Sequence, residues 1–288
     1  MVYYKCKICG GQLEIGNSGS FCCQYCGAKS FMTDADFKGN EEFRKKLLSY
    51  AKAKAEEKEI DYSRDYLWNA KGTASFTMAN SKPLNIQYMF RYEYANCECF
   101  VAKETVVYVF ERAAEAGRFL EGLHSIAFPE ADNKLTRCFP QLKMELELQH
   151  NKKALVFVRK PLFYPAELFA PWPSVHLAWV ISRMENFCCA LEYSGIQYGD
   201  ISPQSVFVNP ETHEGMLFGD WRKTEKKKQD ADLKDLRKTA VMLAENTREP
   251  MELYHFLNGT PEPNAYDDFS KWDMVIERGF GGHKFVKM

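Results

Sequence analysis

The fold is indicated most directly by residues 198–221, which read Tyr-Gly-Asp-Ile-Ser-Pro-Gln-Ser-Val-Phe-Val-Asn-Pro-Glu-Thr-His-Glu-Gly-Met-Leu-Phe-Gly-Asp-Trp. Asp200 is followed three residues later by Pro203, and Asp220 follows an apolar run and precedes Trp221. Singly, Asp200 is compatible with an ordinary turn and Asp220 with the end of a strand. In combination with two short apolar strands between them and a predicted helix on either side, they indicate one defined arrangement of loops and strands.

This arrangement resembles the catalytic loop and metal-binding turn of the protein-kinase fold, and the resemblance covers roughly residues 70–260. It implies an α+β, bilobal protein-kinase-like fold. In that family one loop aspartate orients the attacking hydroxyl and a second aspartate holds Mg²⁺. The resemblance assigns the first role to Asp200 and the second to Asp220. It also implies that Asp232, at the start of the next helix, supports the catalytic loop from beneath.

The flanking segments predict the elements that such a fold requires. Segments rich in β-branched and aromatic residues predict strands, and they lie at 75–78, 86–94, 98–102, 105–110, 142–148 and 154–159. One helix is predicted at about 111–123, and longer helices over 175–193 and 231–246. Five or so antiparallel strands with one inserted helix is the order of a kinase N-terminal lobe, with 159–165 as the hinge to the C-terminal lobe.

Three positions depart from the family pattern. Ser205 stands where the family has its magnesium-binding asparagine, and Ser202 stands where it has the lysine of the catalytic loop. Tyr108 stands where the third strand of the family carries the lysine that steadies the phosphates. A serine hydroxyl reaches less far than an asparagine amide, and a tyrosine carries no positive charge. The resemblance therefore implies a site degraded at the positions that handle phosphate.

The remaining candidates for nucleotide binding are few. Lys103, on the preceding strand or turn, is the nearest replacement for the missing strand lysine, and Glu115 or Glu121 could be the helix carboxylate that pairs with it. If the chain binds Mg²⁺ and ATP, the resemblance implies that Asp220, Ser205 and Lys103 contact them.

Two further features argue against ordinary protein phosphorylation. No glycine occurs between Gly72 and Gly117, so the strands that should cover the phosphates have no glycine loop to bring backbone amides close. Only 11 residues separate Asp220 from Asp232, which is too short for the activation segment and peptide platform of a protein kinase. The basic run at 222–228 is interpreted as a solvated loop.

The N-terminus carries a separate signal, two matching Cys-x-x-Cys-Gly units. Cys6 and Cys9 form the first unit and Cys23 and Cys26 the second, with 13 residues between them. Two-residue spacers turn both thiolates of a unit toward one point, and four sulfurs at tetrahedral geometry suit Zn²⁺. Cys22 could replace Cys23 with a three-residue spacer, although Cys23 reproduces the first unit. The segment resembles a zinc ribbon.

A unit of about 30 residues buries too little surface to fold alone, so zinc would supply its folding free energy. We therefore expect a structural zinc in a docking module for a protein partner. The predicted organisation is a zinc ribbon at 1–32, a helical linker at 33–66, a kinase-like N-lobe at 67–160 and a C-lobe with a tail at 161–288.

Composition excludes several classes of function. The 288 residues are 45% hydrophobic and 27% charged, which is ordinary for a globular protein. A net charge of −1 gives no electrostatic case for nucleic acid as the main partner. The N-terminus lacks an apolar signal core, and no stretch approaches 18 uninterrupted apolar residues. We expect a cytoplasmic protein without a membrane span.

The sequence leaves three functional hypotheses. The first is a pseudokinase-type regulatory or scaffolding module, with weak or absent nucleotide binding, in a bacterial or phage-like regulatory or stress system. The second is an active atypical kinase that transfers phosphate from Mg·ATP with Asp200 and Asp220, and resembles small-molecule phosphotransferases more than protein kinases. The third is a nucleic-acid adaptor that binds through the zinc ribbon.

Overall fold

A computed structural model describes residues 65–129, 135–228, 230–244 and 250–283, three short strands nearer the N-terminus, and isolated residues between 45 and 56. The three strands are β1 (Leu13–Ile15), β2 (Ser20–Cys23) and β3 (Lys29–Phe31), which form an antiparallel sheet in the order β1-β2-β3. The side chains of the four predicted zinc ligands, Cys6, Cys9, Cys23 and Cys26, lie outside the described part. The zinc site therefore stays a prediction.

The N-terminal lobe is built on a five-stranded antiparallel sheet with the order β6-β7-β8-β10-β9. Its strands are β6 (Phe90–Tyr94), β7 (Cys97–Val101), β8 (Thr105–Phe110), β9 (Leu142–Glu147) and β10 (Lys153–Val158). Helix α1 (Ala113–His124) is inserted between β8 and β9 and packs on the inner face of the sheet, where Phe119 lies 4.7 Å from Tyr108 between ring centroids. The predicted strand–helix order of this lobe is confirmed.

A hairpin covers the outer face of this sheet. It consists of β4 (Gly72–Thr77) and β5 (Pro83–Tyr88), and Ile86 of β5 packs with Phe100, Val107 and Val109 of the sheet. The single strand predicted over 86–94 is therefore wrong. It is broken at Met89, because Ile86 belongs to the outer apolar cluster whereas Met89 and Tyr92 belong to the inner one.

The segment before the sheet is anchored to the hinge. The side chain of Arg159 is fully buried, and its Nη2 lies 2.7 Å from Oδ2 of Asp65. Its Nε donates to the carbonyl of Ala102 at 2.8 Å, and the ring of Tyr164 lies 4.6 Å from the guanidinium carbon. Leu67, with no exposed surface, joins the main core. Residues 65–68 thus pack as part of the kinase-like domain.

The C-terminal lobe is mainly helical. It contains α2 (Ser174–Tyr193), α3 (Ala231–Leu243), α4 (Met251–Asn258) and α5 (Ala265–Phe280). Five short strands complete it: β11 (Tyr164–Pro165), β12 (Ile196–Gln197), β13 (Val206–Val208), β14 (Gly215–Leu217) and β15 (Glu225–Lys226). The helices predicted over 175–193 and from residue 231 are confirmed. Within the residues described, no helix combines the length and apolar character needed to cross a membrane.

The two lobes share one apolar core. Inner-face residues of the sheet, such as Tyr92 and Tyr108, belong to the same buried cluster as Tyr198, Phe207 and Phe218 of the C-terminal lobe. The space between the lobes is therefore packed with side chains. Asp200 and Asp220 lie at the cleft where the two lobes meet, and both are buried.

Candidate functional site

The loop at 198–205 is held from below by a buried carboxylate. Asp232, in the first turn of α3, accepts the backbone N–H groups of Tyr198 and Gly199 on its two oxygens, each at 2.8 Å. Burial raises the pKa of Asp232, and these two hydrogen bonds oppose the rise. The support from beneath the loop that the resemblance assigned to Asp232 is confirmed by these two hydrogen bonds.

Asp200 and Asp220, which lie 20 residues apart in sequence, are brought together in the structure. The backbone N–H of Asp220 donates to Oδ2 of Asp200 at 2.9 Å, and Asp200 has no exposed surface. Its Oδ1 lies 2.5 Å from Nζ of Lys223. Asp200 is therefore compensated by a cation from the segment that follows Asp220.

Asp220 is occupied by the side chain two residues later. Nε of Arg222 donates to Oδ1 of Asp220 at 2.8 Å, and Nη2 donates to Oδ2 at 2.9 Å. Nη1 of the same side chain donates to Oε2 of Glu115 on α1 at 3.0 Å. Burial alone lowers the pKa of Arg222, but the hydrogen bond and charge of Asp220 outweigh it and raise the pKa. One guanidinium thus links Asp220 to the helix carboxylate.

These contacts correct the interpretation of 222–228 as a solvated loop. Its first two side chains enter the site, where Arg222 pairs with Glu115 and Lys223 pairs with Asp200. In the family resembled, the corresponding cations come from a strand and from the catalytic loop. Here both positive charges come from consecutive residues just after Asp220. Of the two helix carboxylates considered from sequence, the one with this role is Glu115.

Lys103 does not reach the site. It is exposed in the turn between β7 and β8, and its backbone carbonyl accepts a hydrogen bond from Arg159 at the hinge. Among the described residues, the side-chain contacts of Asp220 are with Arg222. The nucleotide contact expected of Lys103 is therefore unsupported by its position, because the strand runs away from the aspartates toward the hinge.

Tyr108, at the strand-lysine position, closes the back of the site. Its hydroxyl oxygen accepts the backbone N–H of Gly219 at 2.9 Å, and burial raises its pKa well above the usual range. Gly219 has φ +105°, and a Cβ there would overlap the hydroxyl of Tyr198 and lie 2.7 Å from Oδ2 of Asp200. Only glycine fits against these side chains of the loop at 198–205.

A short turn without glycine stands where the family resembled has its phosphate-covering loop. Strands β6 and β7 are joined by two residues, and the carbonyl of Asn96 in that turn accepts the backbone N–H of Glu111 at 3.0 Å. Burial and then the charge of Asp200 raise the pKa of Tyr94, the last residue of β6.

A second polar contact joins the lobes farther along the cleft. The hydroxyl of Tyr92 donates to Oε1 of Glu167 at 2.7 Å, and Nε2 of Gln204 donates to Oε2 of the same carboxylate. Burial raises the pKa of Glu167, while these two donors oppose the rise. The sequence analysis missed this bridge, although the alternation that turns Tyr92 and Tyr94 to one face of β6 was visible.

The side chain of Ser205 forms hydrogen bonds with the backbone of its own loop. Its hydroxyl donates to the carbonyl of Asp200 at 2.5 Å and accepts the backbone N–H of Ser202 at 2.9 Å. The side chain is fully buried. A hydroxyl engaged in this way stabilises the turn and is not directed at a ligand.

The arrangement does not fit a bound Mg·ATP as it stands. A magnesium ion needs oxygen ligands at short distance in near-octahedral geometry. Both carboxylate oxygens of Asp220 already accept from Arg222, and the hydroxyl of Ser205 serves the backbone. We therefore derive no catalytic step through a metal or nucleotide.

No protein-family model matches the sequence, and no curated protein matches it. Among solved structures, the chain is similar to the ROP18 kinase domain at 12% identity and TM-score 0.50, over 83% of this chain and 95% of that one. It is similar to the BubR1 kinase domain at 10% identity and TM-score 0.49, over 82% and 92%. It also matches WbdD at 15% identity and TM-score 0.44, over 70% of this chain.

The chain spans only 47% of the length of that WbdD structure. Identities this low carry the fold and nothing about activity. The similarity to the ROP18 kinase domain, with a TM-score of 0.50 over 83% of this chain, supports the fold. The described domain has a protein-kinase-like α+β fold.

Proposed function

We propose that this chain is a pseudokinase-type regulatory or scaffolding module, kinase-like in fold and with weak or absent nucleotide binding. The observation that carries the proposal is the bidentate contact of Arg222 with both oxygens of Asp220. A paired, charge-assisted contact of this kind is among the stronger hydrogen-bonded interactions in proteins. Because the cation is tethered two residues away, any Mg²⁺ would have to displace it.

The cost of that displacement can be estimated. Mg²⁺ would take the place of the guanidinium on Asp220 and Glu115 would keep Arg118, but the largely buried Arg222 would lose its bidentate carboxylate partner. Removing one partner of a buried ion pair costs about 3–5 kcal/mol, which weakens binding by roughly 100-fold to several thousand-fold. An affinity of micromolar order would fall to millimolar order.

A second candidate is an active atypical phosphotransferase. It is favoured by one observation: Lys223 and Arg222 restore, beside Asp200 and Glu115, two positive charges that the sequence lacks at the usual positions. In this account the side chain of Arg222 would leave Asp220 when substrate binds, and Asp200 would orient the attacking hydroxyl.

Turnover separates the two candidates. The full-length, zinc-loaded protein is incubated with Mg²⁺ and ATP, and nucleotide products are quantified beside the Asp220→Asn variant. The scaffold proposal expects the wild type and the variant to be equally inactive. Turnover that is present in the wild type and lost in the variant would establish the phosphotransferase instead.

For the N-terminal module we propose a structural Zn²⁺ held by Cys6, Cys9, Cys23 and Cys26, and docking of a protein partner. The strand pairing supports this, since Leu13 lies opposite Cys23. In an antiparallel pair, the chain before Leu13 and the chain after Cys23 leave from the same end. The net charge of −1 supports a protein partner over a nucleic acid.

A further inference from the structure

The turn that follows Asp220 lies against helix α1. This turn is one short 3₁₀ helix, Trp221–Lys223, and Oδ1 of Asp220 accepts the backbone N–H of Arg222 at 3.2 Å. In the first turn of α1, Glu115 contacts the side chain of Arg222. In the last turn of α1, a Cβ at Gly122 would overlap the backbone of the 3₁₀ helix. One segment of the C-terminal lobe therefore contacts α1 near both of its ends.

The polar part of this contact comes from Arg222. Its Nε and Nη2 donate to the two oxygens of Asp220, and its Nη1 donates to Oε2 of Glu115. The guanidinium carbon also lies 5.5 Å from the centre of the Phe110 ring, at the end of β8. A guanidinium presents its donors in a rigid, planar fork. Because Asp220 fixes the orientation of this fork, it also determines where Glu115 finds its donor.

The two oxygens of Glu115 have different arginine partners. Oε1 pairs with Arg118 on the same helix, and Oε2 pairs with Arg222 from the C-terminal lobe. The side chain of Arg118 is 63% exposed, whereas that of Arg222 is 9% exposed. An exposed pair contributes little to stability, whereas removing one partner of a buried pair is strongly destabilising. The contact with Arg222 is therefore the one that positions the first turn of α1.

Lys223 extends the connection to the loop at 198–205. Its Nζ lies 2.5 Å from Oδ1 of Asp200, while Oδ2 of Asp200 accepts the backbone N–H of Asp220 at 2.9 Å. Helix α1, the turn after Asp220 and this loop are thus joined in series by side chains of the protein.

Tyr108, at the position of the strand lysine, leaves the helix carboxylate to another cation. Its hydroxyl accepts the backbone N–H of Gly219 at 2.9 Å, and a phenol carries no positive charge. In the family resembled, the strand lysine pairs with the helix carboxylate and Mg²⁺ pairs with the second aspartate. Here Arg222 contacts both carboxylates, Glu115 and Asp220. The link between α1 and Asp220 is therefore made without a ligand.

We propose that Arg222 is a positioning residue that holds α1 against the C-terminal lobe in the absence of nucleotide and metal. The guanidinium that does not fit with Mg·ATP at Asp220 is then itself the cation around which the site is built. The surface that α1 forms with the C-terminal lobe keeps its shape without a ligand. This inference rests on the proposed function, because a scaffold has to present its surface without nucleotide.

The test is hydrogen–deuterium exchange of the full-length, zinc-loaded protein without nucleotide, followed by mass spectrometry of peptides that cover α1 and α2. Rates are corrected for the intrinsic exchange of each sequence. Arg222→Gln should speed exchange in α1 by about tenfold or more and change exchange in α2 by less than about twofold. Arg222→Lys keeps the charge but not the fork, so exchange in α1 should stay closer to that of Arg222→Gln than to the wild type.

Arg118→Gln is the matched control, because it removes an arginine from the same carboxylate without breaking the contact between α1 and the C-terminal lobe. It should change exchange in α1 by less than about twofold. Glu115→Gln should speed exchange in α1, and combining it with Arg222→Gln should add less than about twofold, since both variants break one contact.

Equal acceleration of α1 and α2 in Arg222→Gln would overturn the proposal, because Arg222 would then support the whole domain and not one helix. Unchanged exchange in α1 would overturn it too, and so would wild-type protection in Arg222→Lys. Adding Mg·ATP to the wild type tests the proposed function separately. Slower exchange over residues 198–222 would show nucleotide binding and contradict that function, without altering the result for Arg222→Gln in the absence of nucleotide.

Discussion

The hydroxyl of Tyr92 donates to Oε1 of Glu167 across 2.7 Å and so joins the N-terminal sheet to the C-terminal lobe. Both side chains lie where the two lobes meet. The contact is a hydrogen bond, and its directionality fixes the relative position of the two side chains more narrowly than hydrophobic packing alone would. Removing the hydroxyl of Tyr92 tests directly whether this contact holds the two lobes together.

Tyr92→Phe should therefore lower the free energy of unfolding by about 1–3 kcal/mol, the cost of leaving one oxygen of a buried carboxyl without its donor. Urea denaturation of the full-length protein measures the change. Tyr254→Phe is the control, because its side chain is exposed on α4 and its loss should stay within about 0.5 kcal/mol. A Tyr92→Phe protein as stable as the control would contradict the interlobe bridge.

Substitutions of two glycines of α1 test how closely this helix approaches Trp221, in the turn after Asp220. A Cβ at Gly122 would overlap the backbone carbonyl of Trp221, whereas a Cβ at Gly117 would meet nothing within 4 Å. Gly117→Ala should stabilise the protein by about 0.5–1 kcal/mol, since alanine favours helix. Gly122→Ala should destabilise it by about 1–3 kcal/mol, because the helix must move away.

The pair of variants is compared by thermal and urea unfolding. We expect the two glycine-to-alanine substitutions, which lie five residues apart, to change the free energy of unfolding in opposite directions. If both glycine variants were stabilised, α1 would not be docked against Trp221. The contact of Glu115 with Arg222 would then lose its structural basis, since the same docking positions both.

The buried group around Arg237 predicts a pH dependence of stability. Nη2 of Arg237 lies within 2.8 Å of both oxygens of Asp268, and Nη1 donates to Glu185 at 3.3 Å. Burial, with a further contribution from Asp268, raises the pKa of Glu185 to about 9. The folded state therefore binds this proton more tightly than the unfolded state. The resulting stabilisation is complete below the ordinary glutamate pKa and is lost as the pH rises through about 9.

Between pH 6 and pH 8 this one group should reduce the free energy of unfolding by up to about 1.4 kcal/mol per pH unit. Glu185→Gln removes the titration and should remove that part of the slope. Urea unfolding of the wild type and Glu185→Gln at several pH values measures the difference. If the free energy of unfolding changed with pH in the same way in both proteins, Glu185 would be ionised in the folded state, which contradicts the prediction.

From the proposed zinc site we expect one tightly bound Zn²⁺ per chain. Metal analysis and release to a colorimetric chelator measure it. Cys6→Ser and Cys23→Ser should lose the metal, since each removes one of four thiolates. Cys22→Ser should keep it. Loss of zinc in Cys22→Ser with retention in Cys23→Ser would move the ligand assignment to Cys22.

Much of the fold could be predicted from sequence because it depends on local periodicity. The strand at 105–110 and the helix ending at residue 193 coincide with the structure, since their apolar residues recur at strand and helix spacing. The break at Met89 could not be predicted in this way. Both halves of the 86–94 run are strand-like, and the choice between outer and inner faces depends on distant residues.

The candidate site, too, could be predicted only in part from the sequence. Asp200, Asp220 and Asp232 could be assigned from the resemblance to the kinase fold, because its motif residues lie within one short stretch of sequence. Arg222 and Lys223 could not, since charged residues after a turn are solvated in most proteins, and these two gain partners only through tertiary packing. Their positions two and three residues after Asp220 were the available signal.

The measurement that tests the central claim most directly is a calorimetric titration of the full-length, zinc-loaded protein with ATP, with and without Mg²⁺. With Arg222 on both oxygens of Asp220 and tyrosines in the cleft, we expect no binding heat up to about millimolar ATP in either condition. Magnesium-dependent binding of micromolar affinity would contradict the account, and would show that Arg222 leaves Asp220 readily when nucleotide is present.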